Sequence, residues 1–295
     1  MNKKKRPFLL ILLSASLVSI ILLSIYAYIS TTAITVSPPI YEEIHSSIND
    51  SHDVINKTYH TIRRPLPRSG IQEKDLRPKV AIIIDDLGYD SDLAFSFLKL
   101  DLELSLSILP SAPFTDIIVR EANKKGREII LHQPMEPKGY PSVDPGPGAL
   151  FLSMNEREIR QILDENLREI SGAKGVNNHM GSSFTENREK MLLILQELKN
   201  RGLFYVDSRT TKGTVGLEQA KKIGLPTAER TVFLDNSPDP KAICVQIERL
   251  LEIAENSGSA IGIGHPYNET FDIIEEYQDR LRDKFDVVPV SRLVR

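Results

Sequence analysis

The polar residues able to do chemistry fall at the ends of apolar runs. Residues 80–84, Val-Ala-Ile-Ile-Ile, lead into Asp85-Asp86, and residues 128–131 lead into His132. The stretch 175–178 leads into His179, 203–206 into Asp207, 231–234 into Asp235-Asn236, and 260–263, past Gly264, into His265. Carboxylates and imidazoles together suit Zn²⁺ or a similar divalent ion. A catalytic metal keeps one position open for water and brings the pKa of that water toward roughly 7. A further carboxylate can then take the proton and a histidine can protonate the leaving group. That is the chemistry of amide or ester hydrolysis through a tetrahedral oxyanion.

Each residue alone has a structural explanation. A single His at a strand end can be a capping or core residue, and a single Asp there is often a helix N-cap. Jointly these explanations are harder to hold. The chain has six histidines; His45, His52 and His60 lie upstream of the apolar runs, and the other three all lie at strand ends with four aspartates. Competing chemistries lack their signatures. There is no Gly-x-Ser-x-Gly elbow, since Gly181-Ser182-Ser183 has no second glycine where one is needed. Gly262-Ile263-Gly264 lacks the third glycine of a dinucleotide fingerprint, and no P-loop is present. The single cysteine, Cys244, excludes a Cys-rich zinc site and reads as a buried small hydrophobe in a helix.

The elements that position these residues alternate. Strands are expected at 80–84, 104–109, 128–131, 175–178, 203–206, 231–234 and 260–263, with an eighth at 287–290. The first has no polar face, as in a strand covered on both sides. Ser153-Met154-Asn155-Glu156 reads as a capping box opening a helix with Ile159, Ile162, Leu163 and Leu167 on one face. Thr185 is expected to cap a helix through Met191, Leu195 and Leu198 that ends at Gly202. Asp239-Pro240 reads as N-cap and first helical residue. Strand–helix alternation implies a mainly parallel sheet. The fold class is therefore α/β, a distorted (β/α) barrel of about seven mainly parallel strands, with an open doubly wound sheet as the alternative. In either, the carboxyl ends of the strands share one face, and that face holds the site.

The motifs Ile84-Asp85-Asp86, His132-Gln133-Pro134-Met135-Glu136, residues 175–182, Asp207-Ser208-Arg209-Thr210, Phe233-Leu234-Asp235-Asn236 and Ile263-Gly264-His265-Pro266 occur in that order. As a set they resemble the divergent polysaccharide deacetylase family, an offshoot of the NodB-homology carbohydrate esterases. The resemblance runs from about Lys79 to the C-terminus. It implies a divalent metal, usually zinc, and removal of N- or O-acetyl groups from chitin-like sugars, peptidoglycan or similar glycans. By position it implies Asp85 as base, Asp86 as metal ligand, His265 as general acid and Asp207 as the residue that orients His265. The wider family has two metal-binding histidines four residues apart. Here His132 matches the first and Glu136 stands at the second. Asp86, His132 and His179 are the favoured ligand set, with Glu136 in place of His179 as the open alternative. Asp85 and Asp86 are adjacent, so they point apart unless the strand ends between them; Leu87-Gly88 makes a bend there plausible.

Lys3, Lys4, Lys5 and Arg6 precede an uncharged apolar stretch reaching to about Ser30. A membrane-spanning helix needs roughly 20 apolar residues. Residues 1–30 therefore read as a cytoplasmic stub and transmembrane anchor, with a cleaved signal peptide as the alternative. Residues 31–78 read as a flexible linker with the breaker segment 63–70, Arg-Arg-Pro-Leu-Pro-Arg-Ser-Gly, and 79–295 as the catalytic domain. The domain would lie outside the cytoplasm. The net charge is −3, and removing the +4 of residues 3–6 leaves −7 on the rest. An acidic body argues against nucleic-acid binding.

Three functions follow from these residues. The first is a metal-dependent deacetylase of an envelope or extracellular glycan. The second is a non-catalytic, degenerate member that binds a glycan or envelope partner, favoured by Glu136 and by the absence of tryptophan. The third is a metal-dependent hydrolase of another bond, such as a peptide amide. The loop at 139–148, rich in Gly and Pro, reads either as a rigid surface turn or as a rim beside the metal.

Overall fold

The computed structural model describes residues 77–295. Along them the elements run β1 (Lys79–Leu87), α1 (Ser91–Phe97), β2 (Ser105–Ile108), α2 (Thr115–Lys124), β3 (Glu128–Met135) and α3 (Glu156–Glu169). They continue with β4 (Gly175–Met180), α4 (Arg188–Asn200), β5 (Phe204–Asp207), α5 (Gly216–Ile223), β6 (Thr227–Glu229) and β7 (Val232–Phe233). The last are α6 (Pro240–Ser257), β8 (Ser259–Gly264), α7 (Asn268–Lys284) and β9 (Asp286–Val287). The anchor expected at residues 1–30 and the linker up to residue 76 lie outside the described residues. Among the described residues no helix is long and apolar enough to cross a membrane.

The strands form one parallel sheet in the order β6-β5-β4-β3-β2-β1-β8-β7, with β9 beside β1. Neighbours in the sheet are neighbours in the chain except where β8 returns to β1. A doubly wound sheet would instead reverse direction at a switch point. The order is that of a distorted barrel whose seam lies between β6 and β7. There the chain itself bridges the two edges: Arg230 N donates to Asp207 O on one side and Thr231 N to Ile261 O on the other.

Period-two alternation sorts each strand into two faces. Val80, Ile82 and Ile84 pack into the large core under the helices, with Tyr205, Val232 and Leu234. Ala81, Ile83, Ile130, Val206, Ile261 and Ile263 form a second, smaller cluster inside the barrel. The interior rows therefore run 81-83-85, 130-132, 204-206 and 261-263-265. Each begins apolar at the bottom of the barrel, and all but 204-206, which ends in Val206, finish polar at the carboxyl edge.

Helix ends follow local chemistry. Asp239 caps α6 through Ala242 N with Pro240 in the first turn, as expected. The capping box of α3 sits two residues later than expected: Asn155 accepts from Glu158 N, and the Glu158 carboxylate accepts from Asn155 N. Asn187, not Thr185, caps α4, because the Thr185 hydroxyl donates to Gly181 O instead. Strand β6 has no counterpart in the apolar pattern, since its three residues include Glu229. Cys244 is only partly buried, at the edge of the core.

Candidate metal centre

Strand β1 carries the centre's main irregularity. Opposite β2, Ile84 pairs with Leu106 and Leu87 with Ile108, so one extra residue is accommodated on β1. Asp86 takes φ 55°, in the left-handed region. Asp tolerates that region better than most residues, because its short polar side chain can bond locally. Strict alternation would send Asp85 inward and Asp86 toward the helices. The bulge turns Asp86 back, and both carboxylates reach the barrel mouth.

Asp86, His132 and His179 converge there, with one donor atom from each within 4.8 Å of the others. Asp86 Oδ1 lies 2.9 Å from His132 Nε2 and 2.8 Å from His179 Nδ1. The two imidazole nitrogens are 3.2 Å apart. The three residues are 2–3% exposed. Beyond these close imidazole contacts, both carboxylate oxygens of Asp86, and His179 Nε2, have no hydrogen-bond partner. A buried carboxylate without further donors is costly, and a cation is the usual remedy. One carboxylate and two imidazoles are a donor set suited to a divalent ion with an open position.

Asn177 organises the surroundings. Its Nδ2 donates to Asp85 Oδ1 at 2.7 Å. A carboxylate only accepts, so the other end of the amide must be the oxygen. Asn177 Oδ1 then accepts from Ser107 Oγ at 2.7 Å and from His132 Nδ1 at 2.8 Å. With its proton fixed on Nδ1, neutral His132 presents the Nε2 lone pair to the triangle. Asp85 Oδ2 stands 3.7 Å from that nitrogen.

The charges are strongly coupled. Burial would raise the Asp86 pKa, but His179 and then His132 outweigh it and hold the carboxyl well below its ordinary range. Burial also opposes charge on His132, yet Asp85 and Asp86 beside it raise its pKa overall. A metal ion would replace the proton that this arrangement favours.

His265 stands beyond the triangle, with Nε2 3.9 Å from Asp86 Oδ2. Its Nδ1 meets Asp235 Oδ1 at 2.8 Å, and its backbone N donates to Asp235 Oδ2. Thr270 Oγ1 donates to the same oxygen at 2.7 Å. Burial disfavours the imidazolium, but Asp235, with Asp86 and Asp85 behind it, outweighs burial and raises the pKa to about 9.

The orienting role expected of Asp207 is corrected by strand parity. Val206 points into the barrel, so Asp207 points out toward α5. Its carboxylate accepts from Arg209 N, Thr214 Oγ1 and Leu217 N at 2.9, 2.8 and 3.2 Å. Gly216 makes the room, since a Cβ there would sit 2.8 Å from Asp207 Oδ2. The partner of His265 is Asp235. Glu136 also lies away from the triangle: its Oε2 accepts from Leu152 N at 2.7 Å, filling an otherwise open backbone donor. The roles of Asn177 and Asp235 escaped the sequence reading, although both lie in the quoted motifs. Alternation would have placed Asn177 on the row of His179, and Asp235 on the row of Phe233 at the edge next to β8.

Comparison with known proteins identifies the family. A model of the divergent polysaccharide deacetylase family matches residues 82–294. YibQ, an uncharacterised protein of Escherichia coli (strain K12), is 32% identical over 219 residues, covering 74% of this chain and 68% of its own. An uncharacterised protein of Haemophilus influenzae Rd is 31% identical over 217 residues, 74% of this chain and 77% of its own. The crystal structure of an uncharacterised protein from Agrobacterium tumefaciens C58 has a TM-score of 0.69 at 26% identity, covering 77% of this chain and 92% of that one. The family match spans every strand end that contributes to the centre, and the chain belongs to the divergent polysaccharide deacetylase family.

Proposed function

We propose that this protein is a metal-dependent hydrolase that removes acetyl groups from an envelope or extracellular polysaccharide such as peptidoglycan. The observation that carries the reading is the buried triangle of Asp86, His132 and His179, whose carboxylate has no hydrogen-bond donor beyond the two imidazoles. Zinc is the best match to one carboxylate and two imidazoles; when bound, it would supply a water acidified toward roughly pKa 7 and a Lewis acid for the acyl oxygen. The chain's own groups do the rest. Asp85 has one oxygen tied to Asn177, leaving Oδ2 to accept a proton from the attacking water. His265, held by Asp235 and still charged at neutral pH, donates a proton from Nε2 to the departing amine or alkoxide. The basic residues and apolar run at 3–30 support placing the domain outside the cytoplasm on a membrane anchor.

The test is acetate release by the purified full chain from N-acetylated and O-acetylated sugar oligomers. Release should stop on chelation and return with Zn²⁺, and Asp85→Asn should stop turnover while metal stays bound. Substantial burial of the triangle favours a second reading, a non-catalytic glycan binder. Bound metal with no product of any mass across that panel would decide for it.

A further inference from the structure

The loop Asp207-Ser208-Arg209 has no part in the proposed catalysis, yet it is built with some strain. Arg209 holds φ 53°, a conformation costly for a residue without a short polar side chain. Asp207 imposes it by accepting from Arg209 N. The result is that three successive carbonyls turn toward one residue just past the neighbouring strand β6. Arg230 N donates to Asp207 O at 3.0 Å, Arg230 Nε to Ser208 O at 2.8 Å, and Arg230 Nη2 to Arg209 O at 3.1 Å.

Arg230 occupies the seam between β6 and β7. Its guanidinium carbon lies over Phe233, 3.7 Å from the ring centre, and Phe233 in turn stacks on His265 with centres 5.7 Å apart. The cation is thus one aromatic ring from the proposed general acid. It is partly buried, and among the described residues no carboxylate makes a direct ion pair with it. Its neighbour Arg209 is neutralised by Glu229, and the Asp207 carboxylate is spent on backbone and hydroxyl donors. Among the described residues Nη1 makes no hydrogen bond, whereas Nε and Nη2 are fixed by carbonyls. Burial, then the charge of Arg209, lowers the guanidinium pKa to about 10, with Asp207, Asp85 and Glu229 acting in the opposite sense from beyond contact distance. A guanidinium fixed on one side by carbonyls, with no carboxylate in direct ion-pair contact and Nη1 unused, is suited beside a reaction centre to take a carboxylate from a ligand.

We infer that Arg230 is an anion-recognising specificity residue, and that the acetylated sugar bound at this site carries a carboxylate. The inference deepens the proposed hydrolase reading and rests on it for the sugar. Its recognition step involves no bond making, so it can be tested by binding alone.

The experiment is equilibrium binding of the full chain to N-acetylmuramic acid and to N-acetylglucosamine, which differ by one lactyl carboxylate. The wild type should bind the acidic sugar roughly tenfold more tightly, as a charge-assisted hydrogen bond predicts. Arg230→Gln should erase that preference and leave binding of the neutral sugar unchanged. If Arg230→Gln fails to fold, Arg230→Lys keeps the charge but loses the fixed fork, and the preference should fall several-fold. Adding 6-phospho-N-acetylglucosamine identifies the anion: tighter binding of the phosphate than of the carboxylate would overturn the carboxylate assignment. Equal binding of acidic and neutral sugars by the wild type, no binding of either, or an equal loss for both in the variants would overturn the inference. Acetate release decides the hydrolase reading separately, because an acidic preference can be present without turnover and turnover without an acidic preference.

Discussion

Asp86 and Asp207 begin as equivalents and end as opposites. Each is an aspartate at the carboxyl edge of a parallel strand, and alternation aims each away from the barrel interior. At Asp86 a bulge and a left-handed residue reverse that direction, and the carboxylate arrives among two imidazoles with no other donor. At Asp207 the strand stays regular, and the carboxylate gathers three donors from the loop leading into α5. The same side chain is a candidate ligand in one place and a loop brace in the other. Backbone conformation, not residue type, makes the difference.

The largest expected effect separates the two. Asp86→Asn should weaken metal binding by more than about a hundredfold, since even losses outside the ligand shell cost roughly 10–100-fold. Asp207→Asn should do the reverse. It should lose about 1–3 kcal/mol of stability in denaturant unfolding, from donors left without an acceptor, and keep its metal. Loss of metal in Asp207→Asn would erase the distinction. Between these extremes, Asn177→Ala should cost roughly 10–100-fold in metal affinity by freeing the His132 tautomer and ring orientation.

Asp235→Asn gives a subtler signature. The folded pKa of His265, about 9, lies above its ordinary 6.5. The folded state therefore holds that proton more tightly than the unfolded chain. The stability this contributes is complete below about pH 6.5 and is lost as pH rises through about 9. A general acid raised in this direction by Asp235 should also give a pH–rate profile that falls on the alkaline side, above the ordinary range of a histidine. In Asp235→Asn that fall should move toward neutral pH. An unmoved limb would remove His265 from the acid role. The smallest effect is expected for Glu136→Gln, which should leave metal affinity unchanged and cost only part of one hydrogen bond to Leu152 N.

Much of this site was legible because parallel strands write it plainly. Continuous apolar runs such as 80–84 mark strands covered on both faces, and their ends must share one edge. The sequence could therefore bring Asp85, Asp86, His132, His179 and His265 to a common rim. Which face each residue takes was less accessible. The bulge at Asp86 has no local signal beyond Leu87-Gly88. Asp207 was recoverable in principle, since placing Val206 inside sends its neighbour outside. The seam was illegible for another reason: β6 is too short and polar to register as an apolar run, so Arg230 had no assigned place. Helix starts were displaced where two candidate caps stood close together, as with Ser153 and Asn155, and only the geometry of the first turn chooses between them.

The account turns on three side chains sharing one ion. Metal content and affinity of the purified full chain test this most directly, compared across wild type, His179→Ala and Glu136→Gln. The account predicts about one equivalent of a divalent ion in wild type and Glu136→Gln, and little in His179→Ala. A metal-free wild type, or loss in Glu136→Gln with retention in His179→Ala, would contradict it.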